Sequence, residues 1–590
     1  MEKRVLLAVT LSFVVLVLYQ TLAPKPKPGQ RPNAATAASA TGSTGAASAS
    51  GATDGSAASA TSADGTPLES AAAPASGPQA TIADAAEREV VVETRHVRAV
   101  FSTRGAVLKS WVLKHYLDNR GKPIDVLPVT TTPSIAAKPF ALSTPTDGGL
   151  TTRLQQALYK PSVDSLTLND EPGSLTFEYQ DAGGLSVKKT FAIQPEGKPY
   201  LVRVGINASL NGTRFKPTIH GGAGFGDLER GVKPTGFFAS SSYQLPEAIY
   251  QKGRDVMRVH FASVAAQPMA EGVMEYAGVD DHYFLGAVIP PDGVNTRVDY
   301  HPVSLPTAFG PREVIDFRVR VGGEPRDVEF FYGPKDFDIL AGTDRNLVKA
   351  IHFGWFSFLA VPLLRSLKWV DAYVGNYGWS IIILTVLINL VMFPLRHKSV
   401  VSMRKMQEIQ PQVKAIQDRY AKLKVTDPAR SKMNTELMEL YKQRGVNPAS
   451  GCVPMLLTMP VLFAFYALLS VAIELRGAPF MLWIHDLSRF DPLFVTPVLM
   501  GATQFWQTKM TPMTGDPAQQ RMMMLMPLMF MVFFLWAPSG LVLYWFVSNL
   551  WTIGQQTLTN RLIGPPPQHV LRPAAERRVK RASDAGRQGA

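Results

Sequence analysis

The sequence is short of the residues on which most protein chemistry relies. It holds one cysteine in 590 residues, Cys452, so no disulfide can close within the chain. Charged residues make up only 18%, where a soluble protein carries about a quarter. No Gly-rich phosphate loop, His-Glu-x-x-His or paired Cys-x-x-Cys occurs, which argues against ATP hydrolysis and structural zinc. No cofactor and no catalytic residue is expected, and the chain reads as a non-enzyme. What is abundant is apolar: 46% hydrophobic residues, with 30 Phe, 21 Met and 9 Trp, gathered in runs. The formal charge of +13 fits nucleic acid, anionic lipid or membrane topology, and its distribution decides among them.

Residues 1–23 set Lys3 and Arg4 before the apolar run Val5 to Leu18, about long enough with its flank to cross a bilayer. No clear small-x-small cleavage pattern precedes Pro24, so an uncleaved N-terminal transmembrane anchor is expected rather than a signal peptide. Residues 24–85 are mostly Ala, Ser, Thr, Gly and Pro. Such a segment buries too little surface to offset its ordering entropy and reads as a disordered linker. From 86 to 340 the pattern becomes short alternating runs, such as Glu89-Val90-Val91-Val92-Glu93 and Ser174-Leu175-Thr176-Phe177-Glu178-Tyr179. These predict an all-β sandwich domain. Residues 341–373 are apolar but broken by Pro362 and flanked by Lys349, Arg365 and Lys368, which predicts a helix lying in the membrane interface.

Five further hydrophobic helices are expected, at roughly 374–395, 452–473, 492–508, 522–536 and 541–556, the last four within 452–560. With the N-terminus inside, six crossings put the β domain outside and 396–451 inside. Between 396 and 444 there are twelve Lys or Arg against five Asp or Glu, while the opposite loop 474–491 has two against three. The tail 561–590 carries seven Lys or Arg against two acids. Every short basic segment then falls on the cytoplasmic side, as the positive-inside rule requires. Met406, Ile409, Val413, Ile416, Tyr420 and Leu423 step by three and four. With Met433, Leu437, Leu440 and Tyr441 after a Thr426-Asp427-Pro428 break, they predict an antiparallel helical hairpin in the cytosol.

Polar residues inside the spans gather toward the cytosolic ends. They are Thr385 and Asn389 in the second span, Thr458 in the third, and Thr503, Gln504, Gln507 and Thr508 in the fourth. The sixth adds Ser548, Asn549, Thr552, Gln555 and Gln556. An amide in hydrocarbon costs several kcal/mol (roughly 2–7) unless paired or hydrated. Singly, such residues serve as helix–helix contacts; their shared bias toward one leaflet points to a hydrated recess open to the cytosol. Met522 to Trp536 adds only about 22 Å of helix against a hydrocarbon core of about 30 Å, so the bilayer should thin beside it.

Three stretches carry a resemblance: Val446-Asn447-Pro448-Ala449-Ser450-Gly451-Cys452-Val453-Pro454, Ala478-Pro479-Phe480-Met481-Leu482-Trp483-Ile484-His485-Asp486-Leu487-Ser488 and Pro538-Ser539-Gly540-Leu541-Val542-Leu543-Tyr544-Trp545. They resemble the YidC/Oxa/Alb insertase family in its Gram-negative form, densely from about 345 to 560 and more weakly in the outer domain, as at His282-Tyr283-Phe284. The resemblance implies a polytopic α-helical inner-membrane protein with an N-terminal anchor, a periplasmic β-supersandwich, a five-helix insertase core and a cytosolic hairpin. It implies nascent membrane proteins as clients, the lipid bilayer as their destination, and the Sec translocon with its accessory components as partners. Met459, Tyr544 and Trp545 match positions where the family contacts the nascent segment; the last is often Tyr there. The family usually has an Arg where this chain has Asn389, and Gln where it has Thr458. The groove is therefore carried over without its positive charge, unless Arg396 reaches inward.

The basic tail around Arg577-Arg578-Val579-Lys580-Arg581 suits ribosome binding, with the hairpin, as well as plain retention on the inner side. A solute transporter or channel is the alternative function. It would be expected to carry ionisable residues within its spans, and none lies within the five core spans as drawn. A periplasmic carbohydrate enzyme is disfavoured because His96, His115 and His220 come with no paired carboxylates. The expected mechanism admits the polar flank of a client into the recess around Asn389, Thr458, Gln507 and Ser548. Its apolar part then slides past Met459, Tyr544 and Trp545 into lipid.

Overall fold

The computed structural model describes residues 78–563 apart from 119, 128–137, 228–244, 308–309, 324–326, 345, 421–428, 446–452 and 511–516. Within its elements, the side chains of 307, 310, 403, 404, 407, 429, 430, 453–458, 517–522 and 563 are not described. The anchor at 1–23, the linker up to 77, the tail beyond 563 and the side chain of Thr458 thus lie outside the described residues.

Alternation builds the β domain. In Leu185–Ile193 every second side chain is buried, from Leu185 through Val187, Lys189 and Phe191 to Ile193. That strand pairs antiparallel with Gly173–Asp181 on one side and Leu201–Leu210 on the other, within an eleven-stranded sheet. One five-stranded sheet is organised on the long hairpin Asn295–Thr307/Gly310–Val321, and another on Glu89–Glu93, Val97–Ser102 and Val107–Leu117. Between them lies an aromatic core in which Trp111 Nε1 donates to the Tyr332 carbonyl at 2.8 Å and Phe140 packs on Phe191, Phe330 and Tyr332. Lys189 breaks the apolar pattern, and its Nζ donates to the carbonyls of Gly105, Phe140 and Ala106 at 2.6, 2.8 and 3.2 Å. The domain also begins earlier than composition suggests. Ala80–Ile82, assigned above to the linker, pairs along the edge of Gly173–Asp181 because that edge offers free backbone groups.

The described helices are α1 (Gly148–Gln156), α2 (Phe337–Thr343), α3 (Ser357–Val374), α4 (Tyr377–Tyr420), α5 (Ala429–Gln443), α6 (Val453–Val471), α7 (Val495–Met510), α8 (Pro517–Phe534) and α9 (Ser539–Ile563). In α3 the spacing of Ala360, Leu363, Leu364, Leu367 and Val370 makes one buried stripe, while Phe358, Trp369 and Tyr373 remain exposed. It ends on Gly375, whose φ of 67° reverses the chain into α4. α4 differs from the expected two pieces: residues 377–420, expected as a span and a separate cytosolic arm, form one helix of 44 residues that passes through Pro394 and Pro411. Its far end meets α5 as the apolar spacing predicts, with Ile409 and Val413 buried against Met406, Leu437, Leu440 and Tyr441.

α6 to α9 overlie the four remaining hydrophobic stretches, with bounds shifted by a few residues. Among the described residues only Tyr377–Ser402 is long and apolar enough by itself to cross a membrane; Met459–Val471 and Met523–Phe534 are shorter apolar helices. In α7 and α9 the apolar runs are interrupted by Thr, Gln, Asn and Ser, and those interruptions, with Thr385 and Asn389 of α4, form the candidate site.

Candidate functional site

α9 packs on α4 along one side and on α7 along another, so its polar residues divide between two seams. The α4 seam is built on helical spacing, since Thr385, Asn389 and Arg396 lie four and seven residues apart on one face. Thr385 and Asn389 are buried, 0% and 2% exposed. Thr385 Oγ1 donates to the Ile381 carbonyl at 2.6 Å, and Asn389 Nδ2 to the Thr385 carbonyl at 2.8 Å. These bonds leave Asn389 Oδ1 as an acceptor, and Arg396 fills it: Nη1 donates at 2.7 Å and also lies 3.3 Å from Thr552 Oγ1 on α9. Side chains on a helix lean toward its N-terminus, so Arg396 reaches back into the apolar stretch. The seam continues through Gln555 Nε2, 3.3 Å from the Phe393 carbonyl, to His397 Nδ1, 3.3 Å from Thr559 Oγ1.

The seam is incompletely satisfied by protein. Among the described residues, Gln555 Oε1 and Trp551 Nε1 are buried without a hydrogen-bond partner, four residues apart on α9. Among the described residues no carboxylate pairs with Arg396. A desolvated guanidinium without a counter-ion costs several kcal/mol (order of magnitude), and buried polar atoms normally find protein or water. The seam therefore offers groups that water or an anion could satisfy.

The second seam, between α9 and α7, is bridged by side chains that bond both side chains and backbone carbonyls across it. Trp545 Nε1 donates to Gln504 Oε1 at 3.0 Å, and Asn549 Nδ2 lies 3.3 Å from the Met500 carbonyl and 3.4 Å from Thr503 Oγ1. Gln556 Nε2 donates to the Met510 carbonyl at 3.0 Å. Trp545 also packs on Phe530 and Phe534 of α8. Tyr544 points elsewhere: it is buried, its ring stacked on Phe465 of α6 with centroids 4.4 Å apart. Ser548, Gln507 and Met459 are half-buried. The structure thus brings Thr385, Asn389 and Thr552 together, and it sets Gln504, Trp545 and Asn549 on a different face. Sequence reasoning named Arg396 only as a condition. The signal was present: a cation two helical turns below an amide on the same stripe.

Comparison with known proteins now decides the family. The model of the 60Kd inner membrane protein family matches residues 369–565, and that of the YidC periplasmic domain matches residues 89–366. The membrane protein insertase YidC of Geotalea daltonii is 35% identical over 586 residues, covering 95% of this chain and 99% of the relative. That of Geobacter metallireducens is 37% identical over 584 residues, with the same coverage of 95% and 99%. The chain belongs to the YidC membrane protein insertase family. A crystal structure of an active YidC insertase with its first transmembrane domain resolved overlays 82% of this chain and 94% of its own, at 19% identity and a TM-score of 0.33. Within this chain the α4 seam pairs an acceptor on Asn389 with a cation on Arg396.

Proposed function

We propose that this chain inserts nascent membrane proteins into the inner membrane, working both alone and with the Sec translocon and its accessory components. It would do so through a recess between α4 and α9 that opens to the cytosol and to lipid. One observation carries the reading: a guanidinium, an amide and a hydroxyl meet at Arg396, Asn389 and Thr552 inside an otherwise apolar stretch. α4, α6, α7, α8 and α9 form the five-helix transmembrane core, and with the anchor the chain crosses six times. Both termini are cytoplasmic and the β domain is periplasmic. The basic tail and the α4–α5 hairpin face the ribosome.

The polar flank of a client enters the recess, where Arg396 draws an acidic residue and water keeps it solvated. Thr385, Asn389, Ser548 and Thr552 line that path. Thr458 and Gln507 extend it, and Met459, Tyr544 and Trp545, with Gln504 and Asn549 behind them, guide the apolar part. Partitioning drives the step, at about 0.8 kcal/mol per buried CH₂. No bond is made or broken.

Photocrosslinking from positions 389 and 544 to a stalled nascent chain tests this reading. Adducts from 389 to the polar flank and from 544 to the apolar segment are expected. A second arm places single cysteines at 385, 389 and 458 and labels them from the cytosolic side. Labelling at 389 is expected, and inert positions combined with normal insertion in depleted vesicles would sink the reading.

A further inference from the structure

The outer end of α6 carries charge that the insertion path does not use. Beyond Val471 the chain turns through Ile473–Leu475, and Arg476 reaches into the β domain. Its Nη2 lies 2.5 Å from Asp227 Oδ2, and Nη1 donates to the Leu117 carbonyl at 2.7 Å. The guanidinium sits 5.3 Å over the Phe284 ring. Both side chains of the pair are sealed from solvent, 1% and 4% exposed. Beside them His282 Nε2 lies 2.8 Å from the carbonyl of Ser470, the penultimate residue but one from the turn. On the other side of the same turn, Lys368 of α3 lies 2.5 Å from Asp338 Oδ2, 3.4 Å from Asp336 Oδ2 and 3.5 Å from Glu474 Oε1. One ammonium therefore serves three carboxylates, two from the β domain's closing helix α2 and its cap, and one from the core.

We propose that this seam is a pH-responsive latch, seating the β domain on the outer ends of the helices in acid and loosening it as the pH rises to neutral. The groups facing Glu474 are Asp336 at the head of α2, Lys368 of α3, Tyr377 of α4, Tyr116 of Val107–Leu117 and Arg476 on its own loop; Asp338 competes for the same ammonium. Burial, and then the charge of Asp336, lift the Glu474 carboxyl from 4.5 to about 7 against the pull of Lys368. A carboxyl that separates from the seam regains water and its ordinary value, so docking takes up a proton. Docking is therefore strongest below the ordinary value, weakens as pH climbs toward about 7 and is level above it. Arg476 and Asp227 keep a grip that does not depend on this proton.

The test uses the full-length protein in lipid nanodiscs, with Cys452→Ser and nitroxides at Glu171→Cys in the β domain and Met481→Cys in the outer loop. Distances are read by pulsed electron resonance between pH 5 and pH 8. We expect one narrow distribution in acid that broadens at least twofold across the titration. With Glu474→Gln it should stay narrow throughout, and with Asp227→Ala it should be broad throughout. An unchanged distribution in the parent protein, or a Glu474→Gln variant that still titrates, would overturn the latch. Both readings stand even if Asp227→Ala fails to fold.

Discussion

Asn389 and Arg396 show how one side chain's role depends on another two turns away. An amide in the apolar stretch of α4 is acceptable because its Nδ2 returns to its own helix and its Oδ1 takes Arg396 Nη1. Arg396→Gln retains a donor and removes the charge. Insertion of a client with an acidic flank should then fall about tenfold, or about 1.4 kcal/mol, while a client with a neutral flank should change by less than about twofold. Protease protection in inverted vesicles separates the two, and an equal loss for both clients would reduce Arg396 to a packing residue. Lys189 is the counterpart in the β domain, where three carbonyls use its three protons. Lys189→Ala should cost about 3 kcal/mol, from unpaired carbonyls and a void. A lowered midpoint in thermal unfolding of the full chain would report it.

The loop from α6 to α7 is held by Asp491 acting as a staple. Its Oδ1 accepts from Trp483 Nε1 and the Leu493 amide, both at 2.9 Å, and its Oδ2 accepts from the Thr496 amide and hydroxyl at 2.7 and 2.8 Å. Burial works against the charged carboxylate, but these bonds outweigh it and hold Asp491 below its ordinary value. The sign follows from linkage: its contribution is complete above the ordinary carboxylate value and is lost as pH falls through the lowered one. Asp491→Ala should release the first turn of α7 at a cost of about 2 kcal/mol. Faster amide exchange at 493–496 would show this, and the variant's stability should fall less in acid than the parent's.

For the whole molecule, the short apolar stretch Met523–Phe534 sets a length scale. Twelve residues of helix span about 18 Å, well under a hydrocarbon core of about 30 Å, so the surrounding bilayer should thin. Reconstituted into lipids of increasing acyl length, the protein should lose insertion activity several-fold at the thick end. Activity indifferent to thickness would remove thinning from the mechanism. The outer seam belongs to the same scale, because Arg476 and Asp227 are 249 residues apart and join two parts that each have a buried interior.

Sequence periodicity by itself determined the alternating strands of the β domain, the apolar stripe of α3 and the α4–α5 hairpin. Each of these is a local pattern in which a residue's neighbours along the chain set its exposure. The polar bias of the helices toward one end was legible for the same reason. Which polar residues meet was decided only by tertiary packing. Gln504 and Asn549 look equivalent to Asn389 as amides in apolar runs, yet the rotation of α9 between α4 and α7 satisfies the first two against each other's helices and leaves the third to a cation. The Arg476–Asp227 contact and the three carboxylates around Lys368 likewise depend on chain segments brought together from far apart, and no spacing along the sequence encodes such a meeting.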